Sequence, residues 1–319
     1  STLDRSSAAS DVYKRQHLCM TNMIGWELYR SFLAVLAEGS LSGAARALGI
    51  TQPTVGRHIA ALESALGQVL FTRSQTGLLA TDAALSLRGY AEAMQSNAAA
   101  LERAASGHGP GITGTVRISA SEVIGIEVLP PVLAQLRRDH PGLTLELAPT
   151  NRVQNLLLRE ADIAVRMAPP KQEQLIARSV GAVDIGLFAH KDYLRRHGTP
   201  TQPADLTGHS LIGYDVLTPF LREAGKRFPI PWHRDTFALR ADSDLAQLAL
   251  IRAGAGIGVC QAALARRDKA LVRVLPRQAA FPLETWITMH EDLRASPRCK
   301  VVFDALVACL LAHTGAASA

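Results

Sequence analysis

The sequence predicts an all-α helix-turn-helix unit with a short β wing and a long helix, followed by an α/β domain of two lobes. Three observations support this fold class. Two short helical patterns meet at a glycine between residues 40 and 67, and an unbroken heptad pattern occupies residues 82–105. Beyond residue 113, strand-like and helical runs alternate. A change of periodicity of this kind marks separate units within one chain.

The first pair of helices has marked ends. The first helix is predicted over residues that share one apolar face at i, i+3, i+4 and i+7, namely Leu41, Ala44, Ala45 and Leu48. Gly49 then permits a sharp turn. Thr51 caps the second helix because its hydroxyl accepts a free backbone N–H, and Pro53 lies in the first turn, where no donor is lost.

The second helix has an apolar and a polar face. The inward residues recur at i, i+4, i+7 and i+11: Val55, Ile59, Leu62 and Leu66. Pro53, Arg57 and Ser64 lie on the opposite side. Small residues let a helix enter the major groove, and Arg or Gln forms paired hydrogen bonds with base edges. The pattern therefore fits a recognition helix, although periodicity alone fits a helical hairpin inside an ordinary domain equally well.

Residues 26–73 carry a family resemblance in three runs, FLAVLAEGSL, AARALGITQPTVGRHIAALE and LGQVLFTR. They resemble the N-terminal winged helix-turn-helix of LysR-type transcriptional regulators. The resemblance implies contacts with double-stranded DNA from Ser40, Thr51, Gln52, Pro53, Thr54, Arg57, His58 and Arg73. Gly56 departs from the family, which usually carries Ser there. A glycine inside a helix costs roughly 1 kcal/mol against alanine, and the change removes a phosphate contact.

Charge and cysteine content restrict the partners. The net charge is +6, but residues 23–81 contain four arginines and three glutamates, so the DNA prediction rests on the placement of side chains and not on net charge. The four cysteines form no CxxC pair and no metal-site spacing. No cofactor or metal is expected. The absence of an apolar run of 18 residues and of a secretory signal favours a cytoplasmic protein without a membrane partner.

Residues 1–19 resemble a translated adaptor, so we expect a tail without function; the alternative is a disordered natural tail. Residues 20–81 are predicted to form the winged helix-turn-helix domain. Its first helix runs from Trp26 to Ala37, and its two-stranded wing carries Arg73 as a candidate phosphate contact.

Residues 82–106 are predicted to form a linker and dimerisation helix. Spacings of three and four alternate through Ala84, Leu87, Ala91, Met94, Ala98, Leu101 and Ala105. A strict heptad favours a partner helix, whereas a stripe buried in its own domain tends toward a period of 3.6. The family resemblance implies that the partner is a second copy of the chain, in a homodimer or a homotetramer.

Residues 107–319 are predicted to form an effector-binding domain. Its strand and helix runs alternate as β-α-β-α-β, which indicates a parallel sheet. The runs ELAPTNRVQNLLLREADIAVRM and IRAGAGIGV resemble the effector domain of the same regulators, which is similar to type 2 periplasmic binding proteins. We expect one lobe over 113–180 and 281–314 and a second over 181–280, joined by crossings near 180–183 and 279–283.

Candidate effector-binding residues follow the predicted strands or begin a helix: Ser119, Ser121, Thr150, Asn151, Arg166 and Ser243. Ligands bind beyond the carboxyl ends of parallel strands. The three hydroxyl side chains Ser121, Thr150 and Ser243 fit simple helix caps equally well. Arg166 favours a small organic anion as effector, whereas Glu122 and Asp244 count against one.

The sequence thus predicts a ligand-responsive, sequence-specific DNA-binding regulator of the LysR type. One alternative is a solute-binding module that has lost DNA binding, which only Gly56 favours. The other is an enzyme built on the two-lobed domain, but the ten histidines show no HExxH or comparable spacing. The run GAGIGV follows a helix and not a strand, so it predicts a tight turn and not a nucleotide site. We expect no catalytic activity.

Overall fold

A computed structural model describes residues 24–74, 77–105, 111–151, 160–170 and 174–316 of the chain. The chain divides into two compact units, Ser1–Ala98 and Ala99–Ala319. The tail predicted over residues 1–19 and the helical run predicted at 152–160, except its last residue, lie outside the described residues.

The first unit contains the three predicted helices, α1 (Trp26–Glu38), α2 (Leu41–Leu48) and α3 (Gln52–Leu66). Each helix ends at a glycine with a left-handed backbone, a conformation that other residues rarely adopt: Gly39, Gly49 and Gly67. The helix-turn-helix prediction is confirmed, including its glycine corner.

The core of the first unit lies between these helices. Val55, Ile59 and Leu62 of α3 are buried, as predicted, and pack in one cluster with Phe32 of α1. The ring of Phe32 also lies 5.8 Å from the ring of Phe71, centroid to centroid. Burying one large apolar side chain stabilises a fold by about 1.5 to 3 kcal/mol. This cluster therefore sets the angle at which α3 is held.

A two-stranded wing follows α3. Strands β1 (Phe71–Ser74) and β2 (Gly77–Ala80) pair antiparallel. The N–H of Leu78 donates to the carbonyl of Gly39 at 2.8 Å, which attaches the wing to the turn between α1 and α2. Gly77 has a φ of +136°, and a Cβ there would lie 2.5 Å from the Gly39 carbonyl oxygen. Only glycine fits this approach.

The long helix α4 (Asp82–Ala105) has the predicted extent, but its apolar seam is divided in two. Ala84 and Ala91 are 0% and 2% exposed and belong to the core cluster of the first unit, together with half-buried Leu87. Met94 and Leu101 are 40% and 74% exposed. The expectation that Ala84 and Ala91 face a partner is therefore wrong, because the chain's own core already covers them.

The second unit is built on a seven-stranded sheet in the order β10-β6-β11-β5-β3-β4, with β9 also pairing with β6. The strands of this unit are β3 (Gly114–Ala120), β4 (Leu143–Pro149), β5 (Ile163–Arg166), β6 (Leu175–His190), β7 (Ile212–Gly213), β8 (Leu239–Arg240), β9 (Ile257–Gln261), β10 (Leu271–Val274) and β11 (Ala280–His290). β3 pairs with β4 and β5 in parallel, as predicted, whereas β6 and β11 run antiparallel to their neighbours.

The helices of this unit cover the sheet. They are α5 (Pro130–Asp139), α6 (Lys191–His197), α7 (Pro219–Gly225), α8 (Asp244–Arg252), α9 (Ala262–Ala265) and α10 (Pro297–Thr314). A π-helix (Ile124–Val128) follows β3, and short 3₁₀ turns lie at Pro203–Gly208, Arg234–Thr236 and Glu291–Leu293. No helix within the described ranges is both long and apolar enough to cross a membrane.

Two hydrophobic clusters share the long antiparallel pair β6 and β11. Gly181 of β6 has a φ of +91°, and the β11 register shifts between Glu284 and Trp286. Both irregularities lie in or next to the predicted crossings. The division into two lobes at these points remains a prediction.

A buried ion pair fixes the last turn of α4 within the second unit. Nε of Arg103 donates to Oδ2 of Asp162 at 3.1 Å, and both side chains are less than a tenth exposed. The same carboxylate oxygen accepts the N–H of Arg117 at 2.8 Å. Arg298 of α10 donates to the carbonyl of Arg103 at 2.9 Å. Asp162 is therefore well supplied with donors, as a buried carboxylate requires.

Candidate functional site

The N-terminus of α3 is held by its cap. Oγ1 of Thr51 accepts the N–H of Thr54 at 3.4 Å and lies 2.9 Å from the hydroxyl of Thr54. Pro53 occupies the first turn, where its missing N–H has no intrahelical partner to lose. The first turn of α3 is thus fixed by local bonds.

The solvent-facing side of α3 is polar and small. Thr51, Gln52, Pro53 and Arg57 are exposed, and Thr54 is half-buried. Nη2 of Arg57 donates to Oγ1 of Thr54 at 3.4 Å, a long and therefore weak contact. The guanidinium remains available for the two parallel hydrogen bonds that an arginine forms with guanine or phosphate.

Two other predicted contact residues have bonds within the protein. Nδ1 of His58 lies 2.7 Å from Oγ of Ser31, a buried residue of α1. His58 is half-buried, so it ties α3 to α1 instead of lying on the exposed face. Ser40 caps α2, where its Oγ accepts the N–H of Gly43 at 3.1 Å. Both residues position the helices that carry the exposed side chains.

The wing is connected directly to α3. Oε1 of Glu63 accepts the N–H groups of Leu70 and Phe71 at 2.7 and 3.2 Å. Arg73 lies exposed on β1, which starts at Phe71. Because Glu63 belongs to α3, the helix and the wing are one rigid body on this side. Sequence reasoning missed Glu63, whose role depends on the chain folding back after Gly67.

Gly56 leaves room for a side chain. A Cβ built there would meet only Cδ1 of Leu41, at 3.8 Å. This is ordinary van der Waals contact, so the family's usual Ser would fit without rearrangement. The glycine is therefore not required by packing.

At the carboxyl ends of β3 and β5, Arg166 reaches Ser119. Nη2 of Arg166 donates to Oγ of Ser119 at 3.1 Å, and Nη1 donates to the carbonyl of Val165 at 3.1 Å. Ser119 is fully buried. Burial lowers the pKa of Arg166, and the charge of Glu160 partly opposes this shift. Within the described ranges, no carboxylate lies within ion-pair distance of this half-buried cation.

Beside this pair, polar groups from both predicted lobes meet. Oδ1 of Asn151 accepts the N–H of Glu122 at 3.1 Å, and its Nδ2 donates to Oδ2 of Asp244 at 2.9 Å. Oγ of Ser243 donates to Oε2 of Glu122 at 3.1 Å. Asn151 and Ser243 therefore both take part in bonds between residues that are about 90 or more positions apart in the chain.

Tyr214 completes this group. Its hydroxyl donates to Oδ1 of Asp244. Burial raises the pKa of Tyr214 well above its usual value, and the charge of Asp244 adds to the shift. A tyrosine so shifted stays protonated and remains a donor. Sequence reasoning missed Tyr214, because nothing in the chain pattern places β7 beside the start of α8.

Ser121 and Thr150 lie at the ends of β3 and β4, where the sequence placed them. The carbonyl of Ser121 accepts the N–H of Gly125 at 2.8 Å, and the N–H of Thr150 donates to the carbonyl of Ala120 at 2.8 Å. Ser243 does cap α8, where its Oγ accepts the N–H of Ala246 at 3.5 Å. Its cap role and its bond to Glu122 coexist. Across the described residues, no cluster of three or more His, Cys, Asp or Glu could hold a metal ion.

Comparison with known families agrees with both units. Residues 26–85 match the family described as bacterial regulatory helix-turn-helix protein, lysR family. Residues 109–310 match the LysR substrate binding domain. The chain belongs to the LysR family of transcriptional regulators. This family consists of DNA-binding regulators and not of enzymes.

Two relatives illustrate the membership. The uncharacterised regulator YhjC of Escherichia coli strain K12 is 30% identical over 273 residues, which cover 84% of this chain and 91% of that protein. An HTH-type transcriptional regulator of Xanthomonas campestris is 32% identical over 184 residues, which cover 57% of this chain and 53% of that protein. The chain thus matches one relative over nearly its full length and the other over about half.

Solved structures of LysR-type regulators share the fold. The full-length virulence activator AphB of Vibrio cholerae aligns over 89% of this chain and 99% of its own, with a TM-score of 0.58 and 22% identity. Full-length CbnR complexed with its target DNA aligns over 90% of this chain and 99% of its own, with a TM-score of 0.60 and 20% identity. The predicted order of a winged helix-turn-helix followed by an α/β regulatory domain is confirmed.

Proposed function

We propose that this LysR-type regulator reads a dyad-symmetric operator with the first two turns of α3. The observation that supports this is the exposed polar face of α3, where Gln52, Pro53 and Arg57 face solvent while Val55 and Ile59 are buried. Direct readout of a base edge by Arg57 would provide specificity, and Arg73 on the wing would contact phosphate without specifying sequence. Such a regulator acts where chromosomal DNA lies, in the cytoplasm.

The proposed dimer forms through the exposed part of α4. Tyr90, Met94 and Leu101 are spaced i, i+4 and i+11, so they share one face, and Leu101 and Tyr90 are about three quarters exposed. Exposed Asn97 lies between them on the same face. Apolar residues at heptad spacing on an unburied helix face fit a second copy of the same helix. We infer a homodimer, and two dimers would form a tetramer.

The proposed effector site lies at Arg166. Among the described residues, this half-buried cation hydrogen-bonds to neutral oxygens, Ser119 Oγ and the Val165 carbonyl, and the charge of Glu160 offsets its burial only in part. A small organic anion would supply the remaining counter-charge. Binding beside the bonds that join Asn151 to Asp244 would alter how the two predicted lobes are held. An effector acts by binding two such arrangements with different affinities.

The DNA proposal is tested by capturing genomic fragments with the purified chain at two salt concentrations and sequencing them. We expect a dyad-symmetric site. On that site, Arg57→Ala should weaken binding by about 1 to 3 kcal/mol if Arg57 reads a base. Arg195→Ala is the matched control, because Arg195 is a solvent-exposed arginine of the second unit. Equal affinities of the Arg57 variant and the control would remove Arg57 from the reading surface.

The dimer proposal is tested by the mass of the particle in solution. Leu101→Glu should lower that mass to the monomer at micromolar concentrations, because it places a charge in an apolar seam. Leu79→Glu is the control, since Leu79 is an exposed leucine of the wing, outside α4. A Leu101 variant that keeps the mass of the unaltered protein would rule out this face.

A further inference from the structure

A groove in the predicted second lobe shares no residue with the effector site proposed above. It has a volume of about 630 Å³ and lies beside α7. Its apolar lining includes Leu217, Phe228, Ile230, Pro231 and Trp232. This volume falls within the range of small-molecule sites, roughly 300 to 1,000 Å³. The lining is therefore large enough for a ring-bearing ligand.

The floor of the groove is a rigid aromatic cluster. The rings of Phe228 and Trp232 stack with centroids 4.8 Å apart, and Trp232 meets Phe237 edge to face at 5.1 Å. Gly225 is buried under Trp232, and a Cβ at Gly225 would lie 2.3 Å from the indole. The stack with Phe228 and the contact with Gly225 keep the indole in place. A preformed aromatic surface of this kind binds a planar ring at little cost in side-chain ordering.

The rim of the groove is cationic. Arg222, Lys226 and Arg234 line it, and none of the described lining residues is Asp or Glu. Lys226 is paired with Glu223 at 2.6 Å and Arg234 with Asp215 at 2.7 Å, both at exposed positions where ion pairs are weak. The guanidinium of Arg222 has no partner among the residues that the structure describes. Among the described residues, the groove therefore offers one cation without an ion pair and two that are weakly held.

A second feature is a donor without an acceptor. Nε1 of Trp232 is buried and meets no acceptor within the described part of the chain. A buried N–H without a partner costs about 1 to 3 kcal/mol.

We propose that this groove binds a small aromatic anion, with its ring on Trp232 and Phe228 and its acidic group at Arg222. This binding is separate from the effector proposed at Arg166, so either site can be present without the other. An arginine and an aromatic floor discriminate against neutral and cationic analogues of the same shape, because only the anion gains a charge-assisted hydrogen bond.

The test uses the full chain labelled with 5-fluorotryptophan and followed by ¹⁹F NMR. The chain contains three tryptophans, Trp26, Trp232 and Trp286. Trp26→Phe and Trp286→Phe assign the signals while leaving the groove intact. Trp286 pairs with Arg166 across β11 and β5, so its signal reports the effector site independently. The probes are 2-naphthoate, the neutral 2-naphthylmethanol and the cationic 2-naphthylmethylamine.

We expect 2-naphthoate to shift the Trp232 signal saturably and the amine to leave it unchanged. Arg222→Gln should raise the Kd for 2-naphthoate about fivefold. Arg195→Gln, at an exposed arginine of α6, should leave this Kd unaltered. Three results would overturn the proposal: a shift at Trp286 alone, which would place the naphthoate at Arg166; equal shifts with all three probes; or an unaltered Kd in the Arg222 variant.

Discussion

The two units place their candidate functional side chains in opposite environments. On α3, Gln52 and Arg57 are exposed, and the Arg57 guanidinium makes a single, long hydrogen bond among the described residues. In the second unit, Arg166 and Ser119 bond to each other below the surface, and Asn151 bridges Glu122 and Asp244. A substitution on the exposed face changes what is bound and hardly affects folding. A substitution of these hydrogen-bonded residues of the second unit should change both, because the same bonds hold the fold.

The largest effect should come from the buried ion pair of the second unit. Arg103→Ala leaves Asp162 buried without its cation, so we expect the free energy of unfolding to fall by about 3 to 5 kcal/mol. Urea denaturation followed by far-UV circular dichroism, which reports both units, measures it. The matched control is Arg88→Ala on the same helix, whose ion pair with Glu92 is exposed and should contribute little. Similar urea midpoints for the Arg103 and Arg88 variants would contradict the expected difference between a buried and an exposed ion pair.

In the first unit, a substitution at Gly77 should change both stability and binding, as we expect for the hydrogen-bonded residues of the second unit. Gly77→Ala would put a Cβ 2.5 Å from the Gly39 carbonyl oxygen at a backbone of positive φ. We expect a loss of about 3 kcal/mol together with detachment of the wing. The unfolding temperature and the operator affinity should fall together. Gly89→Ala is the control, because a Cβ there meets nothing within 4 Å. Unchanged stability and unchanged DNA binding would show that the wing is held by other contacts.

The folding stability of the second unit should depend on pH through His313. Burial, with the nearby charges of Arg267 and Arg266, holds the pKa of His313 at about 4, below the value of about 6.5 in an unfolded chain. Protonation therefore favours the unfolded chain. Stability is full above about pH 6.5 and falls as pH drops toward 4, by about 2 kcal/mol between pH 7 and pH 5.

This prediction is checked by urea denaturation at both pH values. Nε2 of His313 donates to Oε1 of Gln261 at 2.9 Å, and its Nδ1 is buried without a partner among the described residues. His313→Gln keeps a donor at this place and cannot take up the proton. Between pH 7 and pH 5, the free energy of unfolding of this variant should therefore fall by less than that of the unaltered chain. Equal losses would assign the acid sensitivity to other groups.

The smallest effect on stability is expected for substitutions of Gly56 in α3. Gly56→Ser should stabilise α3 by at most about 1 kcal/mol, since serine has the higher helix propensity and meets only Leu41. Operator affinity should rise if the hydroxyl reaches a phosphate. Gly56→Ala separates the two effects, because it adds propensity without a hydroxyl. Equal affinities of the two variants would attribute any gain to the helix alone.

The sequence predicted most of what local bonding decides and little of what distant contacts decide. The cap at Thr51 and the glycine corner at Gly49 follow from neighbouring residues, and the sequence predicts both correctly. The cap at Ser40 is equally local, but the sequence analysis assigned that residue to DNA contact. The heptad of α4 was found too, but which residues it buries depends on the core around Phe32, which periodicity does not describe. Arg103 and Asp162 are 59 positions apart, and no pattern in either segment announces their bond.

The effector unit shows the same limit. Residues at strand ends were placed correctly because the carboxyl ends of β3, β4 and β5 meet at one edge. The bonds that connect them to Tyr214 and Asp244 required the second half of the domain to fold back. Charge alone suggested that Glu122 and Asp244 oppose an anion. In the structure these carboxylates already accept hydrogen bonds from Ser243, Asn151 and Tyr214.

Because α4 is long, a small rotation at one end displaces its other end by a large distance. A helix of 24 residues is about 36 Å long, and Arg103 anchors one end of it. A tilt of about 10° around that anchor would move the other end by about 6 Å, nearly two base-pair steps of DNA. A small rotation at the anchor would thus become a larger displacement at the far end of the helix. The stiffness of one helix would convert a small chemical event into a displacement on the scale of the double helix.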